Sequence, residues 1–227
     1  MSSAVEVVRN PRARRARLSV DASTGRVRLT LPKRAALGPA LAWAEEKREW
    51  IAAQQARLPL ARPFVSGAVI PFADGELTID WSPDRPRTIR REGDRLVCGG
   101  PAEGLSRRVT AWLKRAALAV LSEETHECAT RAGVGVSAVA VGDPKSRWGS
   151  CAVHGAIRYS WRLILAPGFV RRSTVAHEVA HRVHMHHGPA FHALAATLSE
   201  ADDQAAHAWL RRHGAGLHWF GRDSGSG

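Results

Sequence analysis

The stretch VAHEVAHRVHMHHGPAFHAL, residues 175–194, carries six histidines and one glutamate, and it constrains the chain more than any other segment. His177 and His181 stand four residues apart in a mostly apolar helical pattern. Both imidazoles then project from one helix face and can reach a single ion at about 2.0–2.1 Å. Glu178 directly follows the first histidine, where its carboxylate can reach a water on that ion and take its proton. A catalytic site of this type needs a third protein ligand and one open position. His184 shares the face of His177 and His181, but a continuing helix carries it away along the axis. Gly188-Pro189 breaks the helical pattern and allows the chain to return, so His186 and His187 are the pair that local geometry favours. An HExxH match on a merely polar helix face is the rival reading. The apolar flanks, the further histidines and the nearby breaker favour a metal site.

The rest of the chain reads as α+β. RLSVDASTGRVRLTLP has two alternating runs about a turn at Asp21–Gly25, the pattern of a hairpin, and a helix of about 15–20 residues follows within 36–58. Residues 62–100 are Pro- and Gly-punctuated, with short strand-like runs AVIPF, ELTIDW, RTIRR and RLVCGG. The longest helical pattern covers 103–132 and stops at Gly133. Three strands are predicted near 136–141, 147–153 and 156–164, forming a small antiparallel meander. Helix then runs from Pro167 through the histidine cluster, resumes near 190–199, and recurs near 202–213. The expected division is a β-rich basic region over 1–100, a metal-site domain over 101–215, and a flexible tail over 216–227.

Charge is lopsided. Residues 1–114 carry 21 Lys+Arg against 12 Asp+Glu, whereas 115–227 carry 12 against 9. That permits a polyanionic partner, nucleic acid or nucleotide, although a solvated arginine-rich surface is the favoured reading in the absence of a nucleic-acid recognition motif. No apolar run approaches the ~18 residues of a membrane span, and the N-terminus lacks the pattern of a cleaved secretory signal, so the expected location is cytoplasmic. Cys98, Cys128 and Cys151 are far apart and fit reduced thiols.

KSRWGSC (145–151), WRLILAP (161–167), VAHEVAH (175–181) and HHGPAFHAL (186–194), in this order and spacing, resemble the YgjP-like metallopeptidase family of metal-dependent hydrolases. The N-terminal hairpin followed by EEKREWIAAQQARL fits as well, so the resemblance covers roughly residues 13–215. It implies a gluzincin-like metallopeptidase core, a small antiparallel sheet plus the HExxH helix, preceded by a β-rich region with one helix. It implies one Zn²⁺ per chain, with His177, His181 and His187 as ligands and Glu178 as the catalytic base. His187 is thereby separated from His186, which falls where the family usually has asparagine. Gly188, His192 and Ser160 depart from the family's serine, tryptophan and asparagine, and none is an assigned ligand. HGPAF also resembles the third-ligand segment of SprT-like and WLM proteases, which act on proteins crosslinked to DNA.

The expected activity is hydrolysis of peptide bonds in a peptide or protein substrate by a water that zinc and Glu178 activate. Hydrolysis of a nucleotide or another phosphoanhydride at the same site is the first alternative, and a DNA-associated protein with a structural metal the second. Arg147 and Arg162 are candidate donors to substrate or a developing oxyanion, against a surface or structural pairing role. Cys151 reads as an inert thiol rather than a fourth ligand or a nucleophile. Trp148 and Trp161 read as core residues. His126, His154, His207, His213 and His218 receive no role.

Overall fold

A computed structural model describes residues 5–199 and 202–223 of the chain. β2 (Arg17–Val20) and β3 (Val27–Leu31) form the expected antiparallel hairpin. Asp21 Oδ1 accepts the Ser23 and Thr24 N–H groups at 2.8 and 3.1 Å, and Gly25 closes the turn at φ 76°. Alternation turns Val27, Leu29 and Leu31 inward and Arg28 outward. β1 (Val5–Arg9) adds parallel to the other side of β3, an element the sequence pattern did not separate from loop. The single helix expected next is two, α1 (Leu37–Glu46) and α2 (Arg48–Gln55), because Lys47 leaves helical geometry at φ −90°, ψ 11°. α1 covers a small core of Leu29, Leu31, Ala40 and Ala44.

The runs within 62–100 form a four-stranded sheet of β4 (Val69–Phe72), β5 (Gly75–Trp81), β6 (Arg90–Glu92) and β7 (Arg95–Cys98), ordered β4-β5-β7-β6. α3 (Leu105–Ala132) buries a stripe including Leu105, Val109, Leu113, Ala117 and Leu121, and Gly133 ends it at φ 66°. One continuous core runs from Phe64 to Phe220. The division expected between residues 100 and 101 is therefore not a break between cores. Apolar faces of the four-stranded sheet and of α3 are buried together.

The next sheet also departs from expectation. β8 (Ala138–Gly142), β9 (Gly149–Cys151) and β10 (Ala156–Ser160) are ordered β8-β10-β9, with β10 parallel to β8 and antiparallel to β9. It is a mixed sheet rather than a meander, because residues 143–148 carry the chain across to the far side of β10. WRLIL does not continue β10. It forms a 3₁₀ turn with all five side chains buried, started by Ser160 Oγ accepting the Arg162 N–H. α4 (Gly168–Ala180), α5 (Pro189–Ser199) and α6 (Asp203–Leu217) complete the fold. Among the described residues no helix is long and apolar enough to cross a membrane.

α4 is anchored at its start from the four-stranded sheet. The β4–β5 turn holds Ala73 and Asp74 at φ 46° and 71°, and Asp74 Oδ1 accepts the Gly168 N–H at the first turn of α4. Asp74 also lies 3.6 Å from the Arg171 guanidinium, which pairs with Glu124 of α3 at 2.8 Å. From the other end of the fold, Ser173 Oγ donates to Asp203 at 2.7 Å.

Residues 217–222 are not a flexible tail. Leu217, His218 and Phe220 are buried, Trp219 Nε1 donates to the Ala22 carbonyl at 2.9 Å, and Arg222 donates to the Ser23 and Thr24 carbonyls at 2.8 and 3.2 Å. The apolar residues of this segment have core to fill, which a polar tail would not. Residues 224–227 lie outside the described residues. Arg162 is the clamp of this region: its guanidinium donates to Asp143 at 2.7 and 3.2 Å and to the Leu217 and Phe220 carbonyls at 2.6 and 3.1 Å. Those pairings hold Asp143 at a pKa of about 2 despite its partial burial.

Replacing Asp74 by Ala is expected to lower the unfolding free energy in urea by about 1–2 kcal/mol, with a smaller loss for Asp74→Asn, which keeps a side-chain acceptor. A second expectation concerns acid. Burial pushes the His218 imidazole down to a pKa of about 4, aided by Lys145 and Arg162 and opposed by Asp143. Lys145 Nζ donates to its Nδ1 at 3.3 Å, which suits the neutral ring. The unfolded chain protonates first, near the ordinary value of 6.5, so the stabilisation is complete above 6.5 and drains as pH falls toward 4. Against wild type, His218→Gln should flatten the stability-versus-pH slope in that window by roughly 2–3 kcal/mol in total.

Candidate metal centre

α4 does not run through the histidine cluster. It ends at Ala180, with His181 as its C-cap, and Pro189 is the first residue of α5 rather than the breaker of α4. The last turn tightens as the Arg182 and Val183 N–H groups bond the Val179 and Ala180 carbonyls at 2.8 and 3.1 Å. Arg182 then fastens the turn by donating to the Gly135 and Val153 carbonyls, each at 3.0 Å. The chain folds back over residues 182–188 and returns His187 to the face that carries His177 and His181.

Ring nitrogens of His177, His181 and His187 all lie within 4.8 Å of one another. His177 Nε2 and His187 Nε2 are 3.2 Å apart. Two nitrogens bound tetrahedrally at 2.0–2.1 Å would be separated by about 3.3 Å, so this spacing fits a shared ion as well as a shared proton. His181 Nδ1 is 3.1 Å from the His184 carbonyl, an N–H···O contact that fixes the tautomer and leaves Nε2 as a lone-pair donor. His184 thus serves through its backbone and not through its ring. Phe191 of α5, fully buried, sits 4.9, 4.6 and 4.7 Å from the centroids of the three imidazoles and holds them as one packed group.

Burial, and then the neighbouring imidazoles, push His177 down to a pKa of about 4. His181 is lowered by burial as well, against the backbone bond that favours its charged form. Neutral rings are the ligand form of histidine, so the donor set fits a divalent cation. Glu178 is only 5% exposed. Burial raises its carboxyl to about 7, and the Arg147 cation counters part of that rise.

β9 makes the opposite wall. A Cβ on Gly149 would fall 2.6 Å from Glu178 Cγ, so this strand approaches α4 as closely as it does only because residue 149 lacks a side chain. β9 is also an edge strand. Trp148 and Ala152 are hydrogen-bonded to Ser160 and Ala156 of the β10 side, so alternation turns the N–H and C=O of Gly149 and Cys151 toward the free edge. A cavity of about 400 Å³ opens beside His177 and Glu178, with Trp148 and Leu210 in its lining.

The remaining sequence candidates separate clearly. Arg147 is exposed and near enough to act on Glu178. Arg162, offered as an oxyanion donor, is instead buried and bonded to Asp143 and two carbonyls, the structural alternative, because its 3₁₀ turn faces the C-terminal segment. His186 is exposed, and His192 stacks on His187 with centroids 6.2 Å apart. Cys151 is half-buried, outside the imidazole cluster, with its thiol raised by burial, and its Sγ lies 3.6 Å from the Ala152 carbonyl. His207 of α6 was assigned no role, yet its ring centroid is 6.2 Å from that of His177 and it lines the cavity. No short spacing links residues 177 and 207; only the fold brings α6 back across α4.

Three imidazoles converging beside a buried carboxylate, under an open strand edge, are the arrangement of a metal-dependent hydrolase. The sequence profile of the YgjP-like metallopeptidase domain matches residues 14–213, and the chain belongs to the YgjP-like family. No curated protein and no solved structure matches the chain.

Gly149→Ala should force Glu178 or β9 aside and cost about 1–3 kcal/mol in denaturant unfolding. Gly135→Ala, with open space around the added methyl, should change stability by less than about 0.5 kcal/mol.

Proposed function

We propose that the protein is a zinc-dependent metallopeptidase in which His177, His181 and His187 hold one cation and Glu178 is the general base. The all-nitrogen donor set suits zinc and disfavours magnesium and calcium, which take oxygen ligands. When bound, the cation supplies Lewis acidity, acidifying water and polarising a carbonyl.

The chain's own residues do the rest. Glu178 Oε takes the proton of the attacking water and returns it to the departing amine nitrogen. Its burial beside Gly149 keeps bulk water from competing for that proton. The free edge of β9 can receive an extended backbone, with the N–H and C=O groups of Gly149 and Cys151 fixing its register across the site. Arg147, exposed beside Glu178, stands where it can donate to an oxyanion. The observation that carries the peptide reading is this adjacency of an unpaired strand edge to the buried carboxylate and the three imidazoles.

The wild-type protein should bind one equivalent of zinc per chain and hydrolyse unfolded peptides. Glu178→Gln should retain the zinc and lose roughly 10²–10⁴-fold in turnover; undiminished cleavage by that variant would remove Glu178 from the role of base. Release of phosphate from nucleoside triphosphates without peptide cleavage would move the reaction to phosphoanhydrides. Salt-dependent DNA binding with no hydrolysis of either would make the metal structural.

A further inference from the structure

We propose that the cavity between α4 and α6 is a subsite for a carboxylate carried by the substrate next to the cleaved bond, with Arg211 as its counter-charge and His207 as a second donor. The proposal rests on the peptidase reading and names the substrate class for it.

Ala206, His207, Leu210 and Arg211 recur at i, i+1, i+4 and i+5 along α6, so one face of that helix forms a whole wall of the cavity. Buried Ala206 makes the floor of that wall, and Leu210 its apolar middle. Trp148 closes the cavity against α6 and is fixed there: it stacks on His218 with ring centroids 5.4 Å apart, and a Cβ on Gly214 of α6 would fall 2.7 Å from its ring. The cavity, about 400 Å³, holds a side chain or a chain terminus rather than a folded segment.

The lining carries one arginine, Arg211, exposed on α6, and one acid, Glu178. Arg211 makes no ion pair or hydrogen bond among the described residues. His207 has the edge of the His177 ring beside it and no acid bonded to it. Asp203, the acid on the first turn of α6, is engaged by Ser173 Oγ at 2.7 Å, and the Thr174 hydroxyl is taken by the Val170 carbonyl at 2.9 Å. Glu178 is the acid that lines the cavity, and it stands at the reaction end, within electrostatic reach of Arg147. An apolar slot with an unmatched guanidinium at the α6 end and a carboxylate at the reaction end selects a group that is short, partly apolar and negative.

The test uses the full-length zinc-loaded protein and matched peptides with Glu, Gln or Lys at each position flanking the cleaved bond, each with a free or an amidated C-terminus. Binding is measured calorimetrically on Glu178→Gln protein, and kcat/KM on the wild type. Glu should be preferred to Gln roughly tenfold in both measurements, and Arg211→Ala should bring that ratio to within about twofold while the melting temperature is kept. Arg211→Glu should turn the preference toward Lys. If the preference follows the free C-terminus and not the side chain, the carboxylate is terminal, and Arg211→Ala should abolish that preference instead. Equal binding of Glu and Gln peptides, or a ratio unchanged in Arg211→Ala, overturns the subsite even if peptides are cleaved. An Arg211-dependent binding preference without cleavage keeps the subsite and rejects the peptidase. Tighter binding of a nucleoside monophosphate than of the Glu peptide would assign Arg211 to phosphate and overturn the carboxylate.

Discussion

Termination of α4 at Ala180 is the constraint on which the site depends. A helix continued through residues 182–188 would carry His187 about 9 Å further along the axis from His181 and out of reach of His177. Ending the helix costs backbone hydrogen bonds, and the chain replaces them locally: the tightened last turn uses the Val179 and Ala180 carbonyls, His181 Nδ1 serves the His184 carbonyl, and Arg182 fastens the turn to two other loops. The same contacts that stop the helix also set the tautomer of the second ligand candidate. Backbone termination and metal-site chemistry are one arrangement here.

A helix used in this way must be fixed at its other end. Asp74 meets the first turn of α4 from the β4–β5 hairpin, Arg171 ties it to α3 through Glu124, and Ser173 ties it to α6 through Asp203. Three different layers therefore locate one helix, and Phe191 joins the three imidazoles from below. Because β9 touches Glu178 through a glycine, the distance between strand edge and carboxylate is set by backbone contact rather than by a movable side chain.

What could be read from the sequence was whatever is written at short range. The i, i+4 histidines, the N-terminal hairpin with its Asp21 turn, and the long apolar stripe of α3 carry their own periodicity and are found in the structure. The i, i+4 rule gave the helix face but not its length, since the end of α4 is decided by Arg182 reaching Gly135 and Val153, carbonyls far away in sequence. Choosing His187 over His186 needed family resemblance for the same reason. WRLIL looked like strand because a fully buried apolar run has no period to reveal its conformation. Arg162 reads as an oxyanion donor or a structural pair, and His207 as a bystander, because Asp143, Leu217 and Phe220 on the one hand and His177 on the other lie far away in sequence, and no local signal announces a contact across that separation.

The C-terminal segment that packs on the first hairpin has a consequence for the order of assembly. Trp219 and Ala22 are joined across a sequence separation of 197, and Arg222 reaches Ser23 and Thr24 across nearly the same span. Arg162, which holds the carbonyls of Leu217 and Phe220, joins that strap to the 3₁₀ turn leading into α4. During synthesis the hairpin emerges first and waits for almost the entire chain before its partner exists, so this closure is a late step of folding, made against the largest loop entropy in the molecule. Until it is made, Trp148 lacks the His218 ring behind it, and a chain cut short before residue 217 would leave the ribosome with its histidines and most of α6 present and the Ala22–Thr24 turn without its C-terminal donors.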